Sequence, residues 1–464
     1  MFENLSRGGE KELRSAAVFS LYMFIFLLTE LLVNARAAAA LPRDLLAFAY
    51  AVSISSTGVG YLLYPLVRRA GVKSAFCRRT LMPLFVAAAF VSLSAISFAR
   101  ASALGYLFLT VVCMASLGCV GGLVHLDMSV SFANDRRLGK TIGCAVCVSI
   151  VAQYLFQNTG LAFAPRVVLL SAAFGLLLAA AVRGSRRASV EIERRYSLEI
   201  PNVGNKCLLL FLIAAAMTLI FSAMDISMTK LHAQGAADVA SWPRLFYAVG
   251  LIAAGAIADC KDRAYLPLAI VCAMTLSVAA VSFFNTPETY AVSFSMAYFY
   301  GGFYVVFFTV SFMDIAPYTR NPALWAGMGR VARSAALGLS AVPTAALVQW
   351  GDYRVVMMVN FGLFVLSFLL FYLSGSLSYK NDYAAADIDD ALKLQKFFDT
   401  YGLTSREADV ALRLIRSDND LKGIADDLNI GMRTVQHHIT SIYEKTDTKN
   451  RVGFLHLVNK EKNS

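Results

Sequence analysis

Twelve apolar segments occupy most of the sequence before residue 376, and each is long enough, or nearly so, to cross the ~30 Å hydrocarbon core of a bilayer. The chain is 58% hydrophobic and only 16% charged, whereas soluble domains carry about 25% charged residues. Backbone groups in hydrocarbon must be satisfied internally, so the sequence predicts a helical, polytopic membrane bundle. The segments lie near 15–34, 45–67, 80–98, 104–126, 139–157, 164–182, 207–228, 243–258, 264–284, 290–313, 323–348 and 353–375.

Lysine and arginine residues are concentrated in alternate loops. With the N-terminus inside, the inner segments carry 20 of them and the outer loops carry 7. Cytoplasmic loops of membrane proteins are enriched in these residues. The bias therefore predicts that both termini are cytoplasmic, because twelve spans return the chain to its starting side.

The longest inner loop, 183–206, separates six spans from six, so we expect membrane halves at 12–182 and 207–375. An internal repeat supports this division. Residues 60–69, after span two, correspond to 255–263, after span eight, and Gly139-Lys140 corresponds to Gly329-Arg330.

Residues 255–263 match the pattern G-x-x-x-D-x-x-x-R, and this part of the chain resembles the major facilitator superfamily over residues 12–375. The resemblance implies an all-α bundle of six plus six spans, in which spans one, four, seven and ten line a central cavity. The first-half copy of the loop has Tyr64 where the family has an aspartate. This departure disfavours ordinary transport, because the loop takes part in the family's alternating-access cycle.

Each of the four cavity-lining spans carries one acidic residue: Glu30, Asp127, Asp225 and Asp314. Charges within spans are costly and often functional. We take Glu30 and Asp225 as candidate ligand-binding residues because they lie towards the outer end. The alternative is that the acids are solvated or paired at helix ends, with Asp314 pairing to Arg330.

Span ten is rich in aromatic residues, many of which must face lipid or neighbouring spans. Tyr298 and Tyr304 are the better cavity candidates, because a phenolic hydroxyl in a dry setting needs a partner. Aromatic rings beside acids would suit an apolar or cationic aromatic ligand.

The last 68 residues have a different pattern, with ten basic and ten acidic residues over 397–464. Thr404 and Glu407 form a capping box that opens a helix. A third helix, predicted over 432–445, places Val435, Ile439 and Ile442 on one face. Its other residues, which include Arg433, Gln436, His437 and Thr440, are then free to enter a DNA groove.

This segment resembles the LuxR-type (NarL/FixJ-like) helix-turn-helix. The matching residues are Leu403, Thr404, Arg406, Glu407, Ile424, Ala425, Leu428, Thr434, Val435, His438, Ile442, Lys445 and Arg451. Two positions depart from the family pattern: Gly431 replaces a serine N-cap, and Thr446-Asp447 replaces an apolar residue followed by glycine.

The resemblance implies that the third helix enters the major groove of double-stranded DNA. Arg433, Gln436 and His437 are then candidates for base edges, and Thr434 and Lys445 for phosphates. The alternative is that these residues are simply solvated. Members of this family pair through the fourth helix, which makes Phe454, Leu457 and Val458 candidate dimer contacts, unless they complete the small core of the domain.

Enzymatic signatures are absent from the sequence. It contains no Walker loop, histidine-kinase signature, zinc cluster or nucleophile triad, so we expect neither an enzyme nor a bound cofactor or metal. Cys144 and Cys147 form a CxxC pattern inside a span and lack the second pair of a zinc site.

The joined segments predict a one-component transcription regulator of the bacterial inner membrane, with a linker at 376–396 and a DNA-binding domain at 397–464. Its partners would be DNA, the lipid membrane and an unknown small molecule, and we expect a homodimer on DNA. One alternative is a transporter with a regulatory DNA-binding tail. Another is a tail that docks proteins and has no role in DNA binding.

Overall fold

The computed structural model describes residues 2–98, 102–132, 137–159, 163–191, 203–233, 242–284, 286, 288–319, 321–350, 353–374, 393–394, 397–416, 421–428 and 430–462. Within these ranges the chain is helical and contains no strand, which confirms the all-α prediction. The chain divides into two compact units, a membrane unit and a C-terminal unit. The predicted linker 376–396 lies outside the described residues except for 393–394.

The membrane unit contains a helix at each of the twelve predicted spans. Their bounds are α1 Phe2–Ala40, α2 Leu46–Lys73, α3 Ala75–Phe98, α4 Ala103–Ser131, α5 Leu138–Asn158, α6 Phe163–Glu191, α7 Val203–Ala233, α8 Leu245–Ala258, α9 Leu266–Phe283, α10 Tyr290–Ile315, α11 Met328–Trp350 and α12 Tyr353–Leu373. Among the described residues, nine of these helices are long and apolar enough to cross a membrane. The chain is a multi-pass membrane protein.

Three helices fall short of that measure. Helix α8 has only 14 residues, although a 3-10 turn before it extends the apolar stretch to Trp242–Ala258. Helix α12 contributes a shorter apolar stretch, Met357–Leu373. Helix α11 carries Arg330 and Arg333 in its first two turns, and these charges lower its hydropathy.

Close contacts between glycines join the two halves of the membrane unit. A Cβ atom added to Gly143 of α5 would lie 2.5 Å from the Leu251 carbonyl oxygen of α8, and one added to Gly255 would lie 2.7 Å from the Gly139 oxygen. Helices α2 and α11 approach in the same way, because a Cβ on Gly58 would lie 2.8 Å from the Ser334 Cβ. Small residues at these points allow neighbouring backbones to pack closely in a membrane.

Most aromatic side chains of α10 face the protein. The helix is the most buried of the apolar spans, so neighbouring helices cover nearly all sides of it. The rings of Tyr300, Tyr304 and Phe308 follow one another along this helix at centroid distances of 6.3 Å and 4.8 Å. Its fully or nearly buried aromatic residues are Phe294, Tyr300, Phe303, Tyr304, Phe307, Phe308 and Phe312.

The C-terminal unit contains four helices: α13 Ser405–Arg416, α14 Leu421–Leu428, α15 Met432–Thr446 and α16 Arg451–Lys462. They share one core, to which the earlier residues Leu394, Phe397 and Phe398 also contribute. The packed domain therefore begins before residue 397. The Arg451 guanidinium joins two helices by donating to the Leu414 carbonyl at 2.9 Å and 3.2 Å.

Both departures from the family pattern are accommodated locally. Gly431 precedes α15 as its N-cap in an extended conformation, without a side-chain hydrogen bond. Asp447 ends the helix with a φ of 50°, the left-handed conformation that glycine adopts most readily. Thr446 is buried, and its hydroxyl donates to the Ile442 carbonyl at 2.7 Å.

The packing of α5 against α8 gives a direct test of the bundle. Replacing Gly143 by leucine forces a side chain into the Leu251 carbonyl, and such overpacking costs about 1–3 kcal/mol. We expect Gly143→Leu to lower the melting temperature of the detergent-solubilised protein and its yield from membranes. Gly175→Leu on α6 is the matched control, because a Cβ at this exposed glycine meets no atom within 4 Å. Equal stability of the two variants would show that α5 and α8 are not closely packed.

Candidate nucleic-acid interface and the polar centre of the membrane unit

Helix α15 has one buried and one exposed face. Val435, Ile439 and Ile442 are 0%, 9% and 0% exposed and belong to the core of the domain, as predicted. This apolar stripe fixes the rotation of the helix about its own axis. The polar residues on its other side are consequently held outward by packing, not by contacts of their own.

The exposed face of α15 contains the residues that we predict to read bases. Arg433, Gln436, His437 and Thr440 are all exposed, and their spacing places them on consecutive turns of one side of the helix. The ring of His437 lies against that of His438 with a centroid distance of 6.3 Å. This face presents a guanidinium, an amide and an imidazole, which are groups that hydrogen-bond to base edges.

The two predicted phosphate contacts have different surroundings. Thr434 is exposed in the first turn of α15, where a hydroxyl has access to a phosphate. Lys445 lies near the other end and forms an ion pair with Glu407 at 2.6 Å. It also donates to the Gly402 carbonyl at 3.1 Å, so two of its three N–H groups have partners in the domain.

Glu407 holds α13 and α15 together. Its carboxylate accepts hydrogen bonds from the Thr404 backbone N–H, the Ser441 hydroxyl and the Lys445 ammonium, each at 2.6 Å. The Thr404 hydroxyl accepts from the Glu407 N–H at 3.4 Å, which completes the predicted capping box. Burial raises the pKa of Glu407, but the hydrogen bonds from Lys445, Ser441 and Thr404 outweigh it and lower that pKa to about 2.

Two of the three predicted dimer contacts are inside the domain. Phe454 is 0% exposed and Val458 is 1% exposed, and both belong to the core. They have no surface for a second copy of the chain, so the prediction was wrong for these two residues. Leu457 is partly buried against the core and retains some surface. Val452, which was not among the predicted dimer contacts, is 75% exposed at the start of α16.

The candidate ligand residues of the membrane unit have protein partners where they are described. Glu30 of α1 pairs with Arg333 of α11 at 3.5 Å, and both side chains are largely buried. The hydroxyl of Tyr304 is hydrogen-bonded to that of Thr218 on α7. Tyr298 is half-buried. Asp225 is in α7, but its side chain lies outside the described part of the structure.

Residues 255–263, which match the G-x-x-x-D-x-x-x-R pattern and are called the signature loop below, connect the two halves of the membrane unit. Asp259 accepts hydrogen bonds from the backbone N–H groups of Gly139 at 2.7 Å and Lys140 at 2.9 Å, at the start of α5. Arg263 donates to Asp259 at 2.8 Å and to Asp314 of α10 at 2.8 Å. A carboxylate at a helix N-terminus satisfies free N–H groups and interacts favourably with the helix dipole.

The expected pairing of Asp314 with Arg330 is therefore wrong, because Asp314 pairs with Arg263 at the end of the bundle. Asp127, the other inner acid, accepts a hydrogen bond from the Ser15 hydroxyl at 2.6 Å. Asp314 and Asp127 are thus both bonded to side chains of the bundle, which agrees with the alternative that these acids are structural and do not bind a ligand. Tyr64, which replaces the aspartate of the first-half loop, is buried against Gly122.

Comparison with known proteins finds similar proteins for both parts of the chain. Residues 402–458 match the family described as bacterial regulatory proteins, luxR family. The fold is similar to that of the human organic anion transporter MFSD10 (TETRAN), with a TM-score of 0.52 and 14% identity over 77% of this chain and 99% of that one. It is also similar to the proton:xylose symporter XylE of the major facilitator superfamily, with a TM-score of 0.50 and 12% identity over 79% of this chain and 96% of that one. No curated relative matches the sequence.

The chain joins a major-facilitator-like membrane domain to a LuxR-type helix-turn-helix domain. At these identities the structural likeness establishes the fold of the membrane domain and nothing of its substrate. In a helix-turn-helix domain the second helix of the motif is the one that enters the major groove, so α15 is the candidate recognition helix.

Sequence reasoning missed a polar cluster in the middle of the major-facilitator-like domain. His125 of α4 is 1% exposed and donates from Nδ1 to the Gly121 carbonyl at 2.8 Å. The Tyr61 hydroxyl lies 3.3 Å from the same nitrogen and 3.0 Å from the hydroxyl of Tyr22. A histidine inside an apolar span is a visible signal in the sequence, but its neighbours on α1 and α2 are distant along the chain.

The Glu407 cluster predicts how acid acts on the helix-turn-helix domain. The pKa of Glu407 is lowered from its ordinary 4.5 to about 2, so its stabilising effect is present above pH ~4.5 and is lost as the pH falls towards 2. We expect Glu407→Gln to cost about 1–3 kcal/mol at pH 7, because the charged hydrogen bonds of Lys445 and Ser441 are weakened. The difference from wild type shrinks below pH 4.

Urea unfolding of a fragment spanning 390–464, which contains the whole described core of the unit, measures this effect at pH 7 and pH 3. Glu444→Gln is the control, because Glu444 is exposed on the same helix and its side chain has no such role. A cost for Glu407→Gln that is equal at both pH values would contradict the lowered pKa.

Proposed function

We propose that this protein is a membrane-bound, one-component transcription regulator of the bacterial inner membrane, with both termini in the cytoplasm. The single observation that carries the proposal is the exposed face of α15 in a complete LuxR-type domain that is fused to a major-facilitator-like bundle. The distribution of lysine and arginine residues, 20 on the inner side and 7 on the outer, supports the cytoplasmic position of the domain.

The membrane domain acts as the sensor. A ligand that binds two arrangements of the halves with unequal affinity shifts the balance between them. The halves meet at α5 and α8, where the Asp259 carboxylate accepts hydrogen bonds from the start of α5. In this proposal the two arrangements of the halves differ at this contact. The linker then passes the shift to the DNA-binding domain.

DNA binding proceeds through a pair of domains. The net charge of residues 397–464 is zero, so one copy has little electrostatic attraction for the phosphate backbone. Two copies bound to adjacent half-sites overcome this weakness. Leu457 and the exposed Val452 of α16 are apolar residues with free surface, and we propose them for the dimer contact.

The proposal is tested by sequencing the DNA that crosslinks to the full-length protein in cells. We expect a few sharp promoter peaks that disappear when the chain is truncated at residue 380. Truncation leaves the membrane domain in place and therefore controls for DNA recovered through membrane association. Equal recovery from both proteins would refute the regulator assignment.

The recognition helix predicts which variants lose binding to those promoters. Arg433→Ala and His437→Ala should each weaken operator binding about ten-fold or more, because a good base contact contributes about 1–3 kcal/mol. Lys460→Ala removes the same charge as Arg433→Ala from an exposed position on α16 and serves as the control. Affinity for labelled operator and for a scrambled duplex, measured with the full-length protein in nanodiscs, gives the comparison. Unchanged operator affinity in both variants would show that the exposed face of α15 does not contact the bases.

A transporter with a regulatory tail is the second candidate. The contacts of Asp259 and Arg263 favour it, because the second-half signature loop has its full set of charged partners. The buried Tyr64 in the first-half loop disfavours it. Accumulation of a substrate by vesicles that contain the protein would support transport.

A further inference from the structure

Arg330 is buried in the membrane domain, and none of the described residues gives it a carboxylate partner. Its side chain is 5% exposed, and its described contacts are the Met23 sulfur at 3.1 Å and the rings of Phe26 and Phe308, whose centroids lie 5.5 Å and 5.4 Å from the guanidinium carbon. A thioether is a weak acceptor, and among the described residues the Nε–H of Arg330 has no acceptor.

The charges around this arginine do not balance within the described part of the bundle. Glu30, the acid on the facing side of α1, is already engaged by Arg333. Among the described side chains, two arginines of α11 are thus matched by one carboxylate, which leaves an excess positive charge in a buried region. An uncompensated buried charge is costly, so a monoanion that neutralised it would bind favourably.

A second unpartnered atom lies on the same cluster. Because the Gly121 carbonyl only accepts, the Nδ1 of His125 carries the proton, and its Nε2 is a buried acceptor to which no described residue donates. The two sites are connected by ring contacts: His125 packs on Tyr22 at 6.2 Å, Tyr22 on Phe26 at 6.2 Å, and Phe26 on Arg330. One cluster thus offers a free donor with positive charge, a free acceptor and aromatic walls.

We propose that this arginine–histidine cluster (Tyr22, Phe26, Tyr61, His125, Phe308 and Arg330) binds a small aromatic carboxylic acid that carries a hydroxyl group. The carboxylate accepts from the N–H edge of Arg330, the geometry in which arginine binds carboxylates most strongly. The hydroxyl donates to Nε2 of His125, and the ring packs among the aromatic side chains. The proposal deepens the sensing role given above by naming its ligand class.

This ligand differs in charge from the apolar or cationic aromatic molecule that the sequence suggested. That expectation came from acids in the spans, and the structure places Glu30 in a pair with Arg333. Among the described groups of the cluster, the charge that remains to be matched is that of Arg330, and it is positive.

Thermal melting of the full-length protein in nanodiscs tests the ligand class. The probes are 4-hydroxybenzoate and 4-hydroxyphenylacetate, the amide of each, and tyramine as the amine. A ligand that binds the native state raises the melting temperature, and the increase grows with the logarithm of the ligand concentration above its Kd. We expect both acids to raise it and the amides and the amine to leave it unchanged. An equal shift from an amide or from tyramine, or no shift from either acid, would overturn the proposal.

Variants assign the binding to the cluster. Arg330→Gln should weaken the acids at least ten-fold, whereas Lys73→Gln, which removes one charge from the exposed end of α2, should leave them unchanged. His125→Phe should abolish the advantage of 4-hydroxybenzoate over benzoate and leave benzoate binding intact. Arg330→Lys keeps the charge but loses the planar edge, and serves in its place if Arg330→Gln does not fold. Acid binding that survives both changes at Arg330 would place the site elsewhere.

Operator affinity, measured with and without the acid, separates this proposal from the proposed function. Binding of the acid without a change in operator affinity would support the site and remove its role in sensing. Promoter occupancy that responds to some other compound, with no binding of the acids, would support the regulator and refute the site.

Discussion

The interior of a membrane bundle offers no water to a charged side chain, and this constraint governs where the charges of the protein lie. Each buried charge must find a partner within the bundle or draw one from outside. Asp259, Arg263 and Asp314 satisfy one another at the end of α8, and the same Asp259 carboxylate bonds to the start of α5. Glu30 and Arg333 do so between α1 and α11. Arg330 is the exception among the described residues, and an exception of this kind is what a ligand site requires.

The two interfaces between the halves, α5 with α8 and α2 with α11, depend on close packing at glycines. Glycines on α5, α8 and α2 let backbones approach so closely that a methyl group would collide with a neighbouring atom. Such contacts rely on shape and carry no charge of their own. Charged side chains also cross the α5–α8 interface at both ends: Asp259 accepts from the backbone at the start of α5, and Arg244, which precedes α8, donates to Gln153 and Gln157 of α5. Close packing at the glycines and these polar contacts therefore hold the same pair of helices together.

In the helix-turn-helix domain, the residues that hold the helices together are different from most of those proposed to contact DNA. Glu407 and Lys445 hold α13 against α15, and the apolar stripe of α15 fixes which side of the helix is exposed. Arg433, Gln436 and His437 lie on that exposed side and are the proposed base contacts. Lys445 is paired with Glu407 inside the domain, so its proposed phosphate contact adds to a structural one.

The sequence by itself determined where the long helices of the membrane domain lie, the apolar and polar faces of α15 and the capping box at Thr404 and Glu407. These features depend on patterns within one helix, where spacing along the chain is also spacing in space. It did not determine that Phe454 and Val458 are core residues, since an apolar position looks the same whether its own domain or a second copy covers it. Nor did it determine that Asp314 pairs with Arg263, or that no described carboxylate pairs with Arg330, because these facts depend on neighbours from distant helices. Only the tertiary structure decides which helix lies opposite which, and in a dry interior that choice decides which charge remains unmatched.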